Sequence, residues 1–133
     1  MTSRVMSIPI DAADPRSLAS FWAEVLGWEV TGTGWQRTDH GRDGATIAPA
    51  GGGPFEIDFR WVPDPPAGAK SRVHLDVNPT DRDQREELQR LLDLGATPVD
   101  VGQGPDVSWH VLADPEGNVF CLCRDRVPPL TPP

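Results

Sequence analysis

Tyrosine is absent from this 133-residue chain, methionine occurs twice, and cysteine occurs only as Cys121 and Cys123. Two cysteines one residue apart on a strand point the same way and lack disulfide geometry. A stapled, secreted scaffold is therefore excluded, and a reduced, cytoplasmic setting is expected. Long apolar runs are missing too. Nothing approaches the ~20 residues of a membrane span, and the opening MTSRVMSIPIDAADP has no signal-peptide core. Basic residues are scarce, 12 Lys and Arg against 20 Asp and Glu, for a net charge of -8. That balance argues against nucleic acid and membrane as partners and leaves a neutral or cationic small molecule. Present in excess are Pro and Gly, 15 and 13 residues, and five Trp. They predict one small domain cut into short segments, a turn-rich sheet rather than a long-helix bundle.

Alternation over 4–10, with Met6, Ile8 and Ile10 on one side, predicts a strand. Asp14-Pro15 then caps a helix whose Leu18, Phe21, Trp22, Val25 and Leu26 form an apolar stripe, ended by Gly27. Strands follow near 28–38, 44–49 and 55–62. A Pro-rich linker, 63–70, comes next. RVHLDVN (72–78) alternates again, Thr80 or Asp81 caps a second helix carrying Leu88, Leu91, Leu92 and Leu94, and Gly95 stops it. Strands near 97–101, 107–113 and 118–123 complete the chain before a Pro-rich, flexible tail at 127–133. Helix stops at Gly27 and Gly95 lie at matching points of two β-α-β-β-β halves, 4–62 and 71–124. The charge run TDRDQREELQR reads as a solvated helix face with Asp81–Arg85 and Glu86–Arg90 pairs, and DPEGN as a tight turn before the last strand.

The segments DPRSLASFWAEVLGWEV, FRWVPDPPAGAKSRVHLDVNPTDRDQ, LLDLGATPVDVGQG and VSWHVLADPEGNVFCL resemble the glyoxalase-like branch of the vicinal oxygen chelate superfamily, from about residue 5 to 124. Relatives there include glyoxalase I, bleomycin-resistance proteins and extradiol dioxygenases. The resemblance implies an α+β fold of two βαβββ modules, forming an open eight-stranded mixed-sheet barrel around a cleft, often in a homodimer. It also implies, in metal-dependent members, four cleft ligands from the first and last strands of both modules.

Strand alternation sets Val73, Leu75 and Val77 on the core face of 72–78 and His74, Asp76 and Asn78 on the other. His74 coincides with the family's ligand position and is the leading catalytic or binding candidate. The other three positions depart from the pattern. The first-strand position falls on Ser7, a poor ligand. The end of the first module falls on Arg60, which repels a cation, with Glu56 and Asp58 on the same face. The last falls on Cys121, four residues after the Gly of DPEGN. No metal is favoured. His74, Cys121 and Asp58 or Glu56 are the residues that would hold a divalent ion (Zn, Ni, Fe or Mn), and a small buried hydrophobe is the ordinary role for Cys121. Trp22, Trp28 and Trp61 read as packing residues, while Trp35 and Trp109 are cleft candidates. His40 reads as a turn residue, and alternation leaves open whether Trp109 or His110 faces the cleft.

The expected ligand-binding set is therefore Trp35, Arg60, His74, Asp76, Trp109 and Cys121. Two functions compete. One is a small-molecule-binding protein of the resistance or sequestration type without the full metal site. The other is a metal-dependent lyase, isomerase or dioxygenase using His74, with true glyoxalase I activity rejected.

Overall fold

The computed structural model describes residues 1–35, 44–65 and 71–130. His40 and most of the 63–70 linker lie outside the described residues, as do the last three residues of the tail. The chain divides into two compact units, Met1–Pro66 and Ala67–Pro133.

The first unit runs β1 (Ser7–Ala12), α1 (Pro15–Leu26), β2 (Glu29–Trp35), β3 (Gly44–Ala48) and β4 (Glu56–Trp61). Its sheet order is β1-β4-β3-β2, with β1 parallel to β4 and the other pairs antiparallel. The helix forms as its sequence dictates. Asp14 accepts a hydrogen bond from the Ser17 amide at 3.2 Å, Pro15 fills the first helical position, and Gly27 turns left-handed at φ 67°. Leu18, Phe21, Trp22 and Val25 are buried, and α1 packs chiefly on β3 and β4, whose Ala45, Ile47, Ile57 and Phe59 are sealed. Each large side chain buried there contributes roughly 1.5–3 kcal/mol relative to exposure. The first strand differs from the alternation reading. It spans 7–12 rather than 4–10, because pairing to β4 sets its length: Ser7 meets Glu56 and Ala12 meets Trp61, while Met6 stays exposed.

The second unit repeats the order with β5 (Asp76–Val77), α2 (Gln84–Leu94), β6 (Thr97–Pro98), β7 (His110–Ala113) and β8 (Val119–Leu122). Its sheet order is β5-β8-β7-β6, again with the first strand parallel to the last. The α+β class and the doubled β-α-β-β-β arrangement are thus those expected. Four details are corrected. Only Asp76 and Val77 of 72–78 form a strand, because the ladder to β8 pairs just those two residues, and Val73 is 81% exposed instead of on the core face. The cap of α2 is Asp83, not Thr80 or Asp81. Its carboxylate accepts from the Glu86 amide at 2.8 Å, whereas Asp81 is engaged by Arg82 at 2.9 Å. With Asp81 outside the helix its expected pairing to Arg85 does not form. Arg90 bonds Glu87 at 2.7 and 2.8 Å rather than Glu86, and Glu87 is buried, not solvated. Finally, β6, β7 and β8 are shorter than predicted, and the described part of the tail begins tied down, the Val127 amide donating to the Pro79 carbonyl at 2.9 Å.

The turn between β7 and β8 is held by one buried carboxylate. Asp114 accepts from the amides of Glu116 (2.9 Å) and Asn118 (3.0 Å) and from the Asn118 side chain, and Gly117 takes φ 87°. Removing that acceptor orphans donors in a half-buried turn, each costing about 1–3 kcal/mol. Asp114→Ala should therefore lower unfolding free energy by roughly 2–4 kcal/mol in urea titrations, against less than about 0.5 kcal/mol for exposed Arg85→Ala.

Candidate functional site

Parallel pairing decides which polar groups of the second unit meet. Asp76 is in register with Cys121, and the chain on either side is fixed by the Cys121 amide donating to the Leu75 carbonyl (3.0 Å) and the Cys123 amide donating to Val77 (2.8 Å). Side chains two apart share a face, so His74 and Asp76 stand beside Cys121 and Cys123. The antiparallel partner adds to that face: Val111 is opposite Cys121, which places Trp109 with the cysteines. This settles the face that alternation left open, with His110, opposite Leu122, on the other side.

These groups border a cavity of about 310 Å³ lined by His74, Asp76, Trp109, Cys121 and Cys123, together with Ser108 and Arg124. The His74 Nε2 lies 3.4 Å from Asp76 Oδ1. A His74 nitrogen, an Asp76 oxygen and Cys121 Sγ all lie within 4.8 Å of one another, the arrangement that could hold a metal among the described residues. Cys121 is buried and forms an apolar cluster with Val119 of its own strand and Val111 of β7, so its side chain belongs at once to the core and to the cavity wall. Burial pushes the Cys123 thiol pKa above its ordinary value, and the nearby Asp76 and Asp125 carboxylates push it further, since each disfavours a thiolate. Trp109 is 42% exposed, a broad apolar face open to the cavity. A second cavity of about 260 Å³ lies under the 99–107 loop, with Leu88, Leu92, Val99 and His110 in its wall.

Four of the six expected binding residues thus converge: His74, Asp76, Trp109 and Cys121. The other two belong to the first unit and have local roles there. The indole Nε1 of Trp35 donates to Thr46 Oγ1 at 3.0 Å, and Thr46 donates in turn to buried Asp58 at 2.8 Å. The Trp35 ring also covers Gly44 so closely that no Cβ fits there. Asp58, named beside His74 and Cys121 as an ion-holding carboxylate, is therefore committed to this chain of hydrogen bonds; the carboxylate that joins His74 and Cys121 is Asp76. Arg60 pairs with Asp11 at 3.2 Å, across the β1–β4 register, and its Nε is buried without a hydrogen-bond partner. Ser7 opposes Glu56 at the start of the same pairing. Cys123 and Arg124 were missed as cavity residues. The signal for Cys123 was its two-residue offset from Cys121, which alternation alone places on the same face.

The profile of the Glyoxalase-like domain family matches residues 7–123. The chain belongs to the glyoxalase-like domain family. Solved structures share its fold. One is a variant of FosX, a genomically encoded fosfomycin resistance protein from Listeria monocytogenes, complexed with Mn(II) and 1S,2S-dihydroxypropylphosphonic acid: TM-score 0.69, 16% identity, 96% of each chain covered. Another is TnmS3, an antibiotic binding protein from Streptomyces sp. CB03234: TM-score 0.59, 23% identity, covering 91% of this chain and 94% of that one. A third is a glyoxalase/bleomycin resistance protein/dioxygenase family enzyme from Burkholderia phytofirmans PsJN: TM-score 0.56, 19% identity, covering 90% and 97%. No curated protein matches the sequence.

Within this glyoxalase-like domain, the electrostatic coupling of Asp76 to Cys123 can be read directly. Neutralising Asp76 removes one of the causes that raise the thiol pKa, so in a Cys121→Ser background Asp76→Asn should speed alkylation of Cys123 by iodoacetamide at mildly alkaline pH, measured by mass spectrometry.

Proposed function

We propose that this glyoxalase-like domain protein binds a small organic molecule, neutral or cationic, in the cavity of its second unit, and that it serves sequestration or resistance as a cytoplasmic homodimer. The observation that carries this reading is the makeup of the cavity. At about 310 Å³ it is within the size range of small-molecule sites, and it sets an aromatic face, Trp109, against a few convergent polar groups, His74, Asp76 and Arg124. The acidic balance of the chain favours a cationic ligand. An antibiotic-binding protein and a fosfomycin resistance protein among the chain's structural relatives support the same reading. Ser7 and Arg60, at two of the family's four ligand positions, lack the chemistry of the hard-ligand site, which argues against glyoxalase I activity. Exposed apolar side chains at Val5, Met6 and Val73 support self-association.

One contact favours a second reading, an enzyme using His74. Asp76 sits 3.4 Å from the imidazole, and a carboxylate in that place orients a histidine for proton abstraction next to a carbonyl.

Trp fluorescence titration against a panel of cationic and neutral antibiotics separates the two. The binding reading expects quenching that weakens with added salt if the ligand is cationic, and a loss of roughly 10- to 100-fold in affinity on Trp109→Ala. A panel that neither quenches nor protects Cys123 from alkylation would sink it. The enzyme reading requires turnover of a bound compound that disappears in His74→Ala while binding persists. Light scattering of the purified protein should give the mass of a dimer.

A further inference from the structure

We propose that the cavity under the 99–107 loop of the second unit is a separate binding site, which takes a small neutral aromatic molecule carrying one hydroxyl group. This site goes beyond the function proposed above and does not rest on it, since His74, Asp76 and Cys121 are not among the residues that line it.

Helix α2 leaves its apolar stripe unfinished. Where α1 seals Leu18, Phe21, Trp22 and Val25, the one apolar residue buried in α2 is Leu91. The second helix also approaches the strands of its own sheet at fewer points than the first does. Leu88 and Leu92 stay half-buried, and both line a space of about 260 Å³ together with Leu112 of β7. That volume lies just under the ~300–1,000 Å³ of sites for drug-sized ligands, so it suits a compound of one or two rings. Covering the two leucines removes apolar surface from water, which drives the association.

The loop beside this space spends its polar groups on itself. The Gln103 side chain donates to the Val99 carbonyl at 3.2 Å and accepts from the Val101 amide at 2.8 Å, and the Asp100 carboxylate accepts from the Gly102 amide at 2.8 Å. Positive φ at Gly102 and Gly104, 88° and 74°, lets the chain double back this tightly. The loop therefore keeps its form without help from a ligand, and Val99, Pro105 and Val107 border the space.

The chemistry of the wall selects the guest. Among the described residues no Asp, Glu, Lys or Arg lines the cavity, so a charged molecule entering it loses hydration and gains no partner. The other cavity, with Asp76 and Arg124, is the contrary case. His110 is the polar side chain left over, with no hydrogen bond or ion pair among the described residues. An imidazole nitrogen donates or accepts, and a hydroxyl answers either. Trp109 borders the same space, and an aromatic ring packs on an indole by offset or edge contact.

The test uses the full chain with 2-naphthol and naphthalene as probes. Nuclear magnetic resonance of methyl-labelled protein should show 2-naphthol shifting the Leu88 and Leu92 signals, and calorimetry should give one molecule bound per chain. Leu92→Phe narrows the cavity and should weaken both probes by at least about 10-fold. His110→Ala should weaken 2-naphthol by roughly 3- to 10-fold, the loss of one hydrogen bond, and leave naphthalene unchanged. Leu88→Asp should leave the mass by light scattering unchanged. If Leu92→Phe fails to fold, His110→Ala, at an exposed position, carries the test. The proposal is overturned by Leu88 and Leu92 signals that stay still at millimolar 2-naphthol, by full affinity in a folded Leu92→Phe protein, or by a His110→Ala effect that is absent or equal for both probes. A mass that falls in Leu88→Asp also overturns it, because a second copy of the chain then covers the groove. Antibiotic quenching of Trp fluorescence reports separately on the first cavity, so either can fail alone.

Discussion

The register between two very short parallel segments governs the candidate site. Parallel strands cannot be joined by a tight turn, so each unit inserts a helix and two antiparallel strands between the members of its parallel pair, β1 with β4 and β5 with β8. The connection is long, but its outcome is specific to one residue. A shift of one position would carry His74 and Asp76 to the opposite face from Cys121. The apolar residues of β8 enforce the observed register: Phe120 and Leu122 are sealed on one face, which leaves Val119 and Cys121 for the other.

The two units use the same framework differently. In the first, the strand face away from α1 is occupied by a local polar network, in which Thr46 links the Trp35 indole to the buried Asp58 carboxylate. A buried carboxylate needs such donors. In the second, the corresponding face carries cysteines, an imidazole and an exposed carboxylate around an open volume. One framework thus supports a buried polar network in one unit and an open cavity with polar walls in the other.

How much was legible in the sequence follows from which signals are local. Helix α1 was readable at both ends because Asp14, Pro15 and Gly27 act within a few residues of themselves. The cap of α2 was misplaced since Thr80, Asp81 and Asp83, all able to cap, fall within four residues, and only the 2.8 Å bond to the Glu86 amide identifies Asp83. Alternation correctly grouped His74 with Asp76, yet it overextended the strand containing them, because strand length depends on a partner more than forty residues away. The same dependence explains Asp58 and Asp76. Both are acidic residues on polar strand faces, and only cross-strand pairing shows that one is spent on Thr46 while the other stands with the thiols.

The brevity of β5 bears on how a ligand could reach this wall. His74 precedes a strand of two residues, next to a largely exposed Val73, and its segment is held to β8 by few ladder bonds. Such a segment can detach at a fraction of the free energy needed to unfold the sheet behind it. Cys121, by contrast, is anchored in the interior strand. The pocket therefore has one wall, with Cys121, built on an interior strand and another, with His74, built on a segment tied by only a few main-chain bonds.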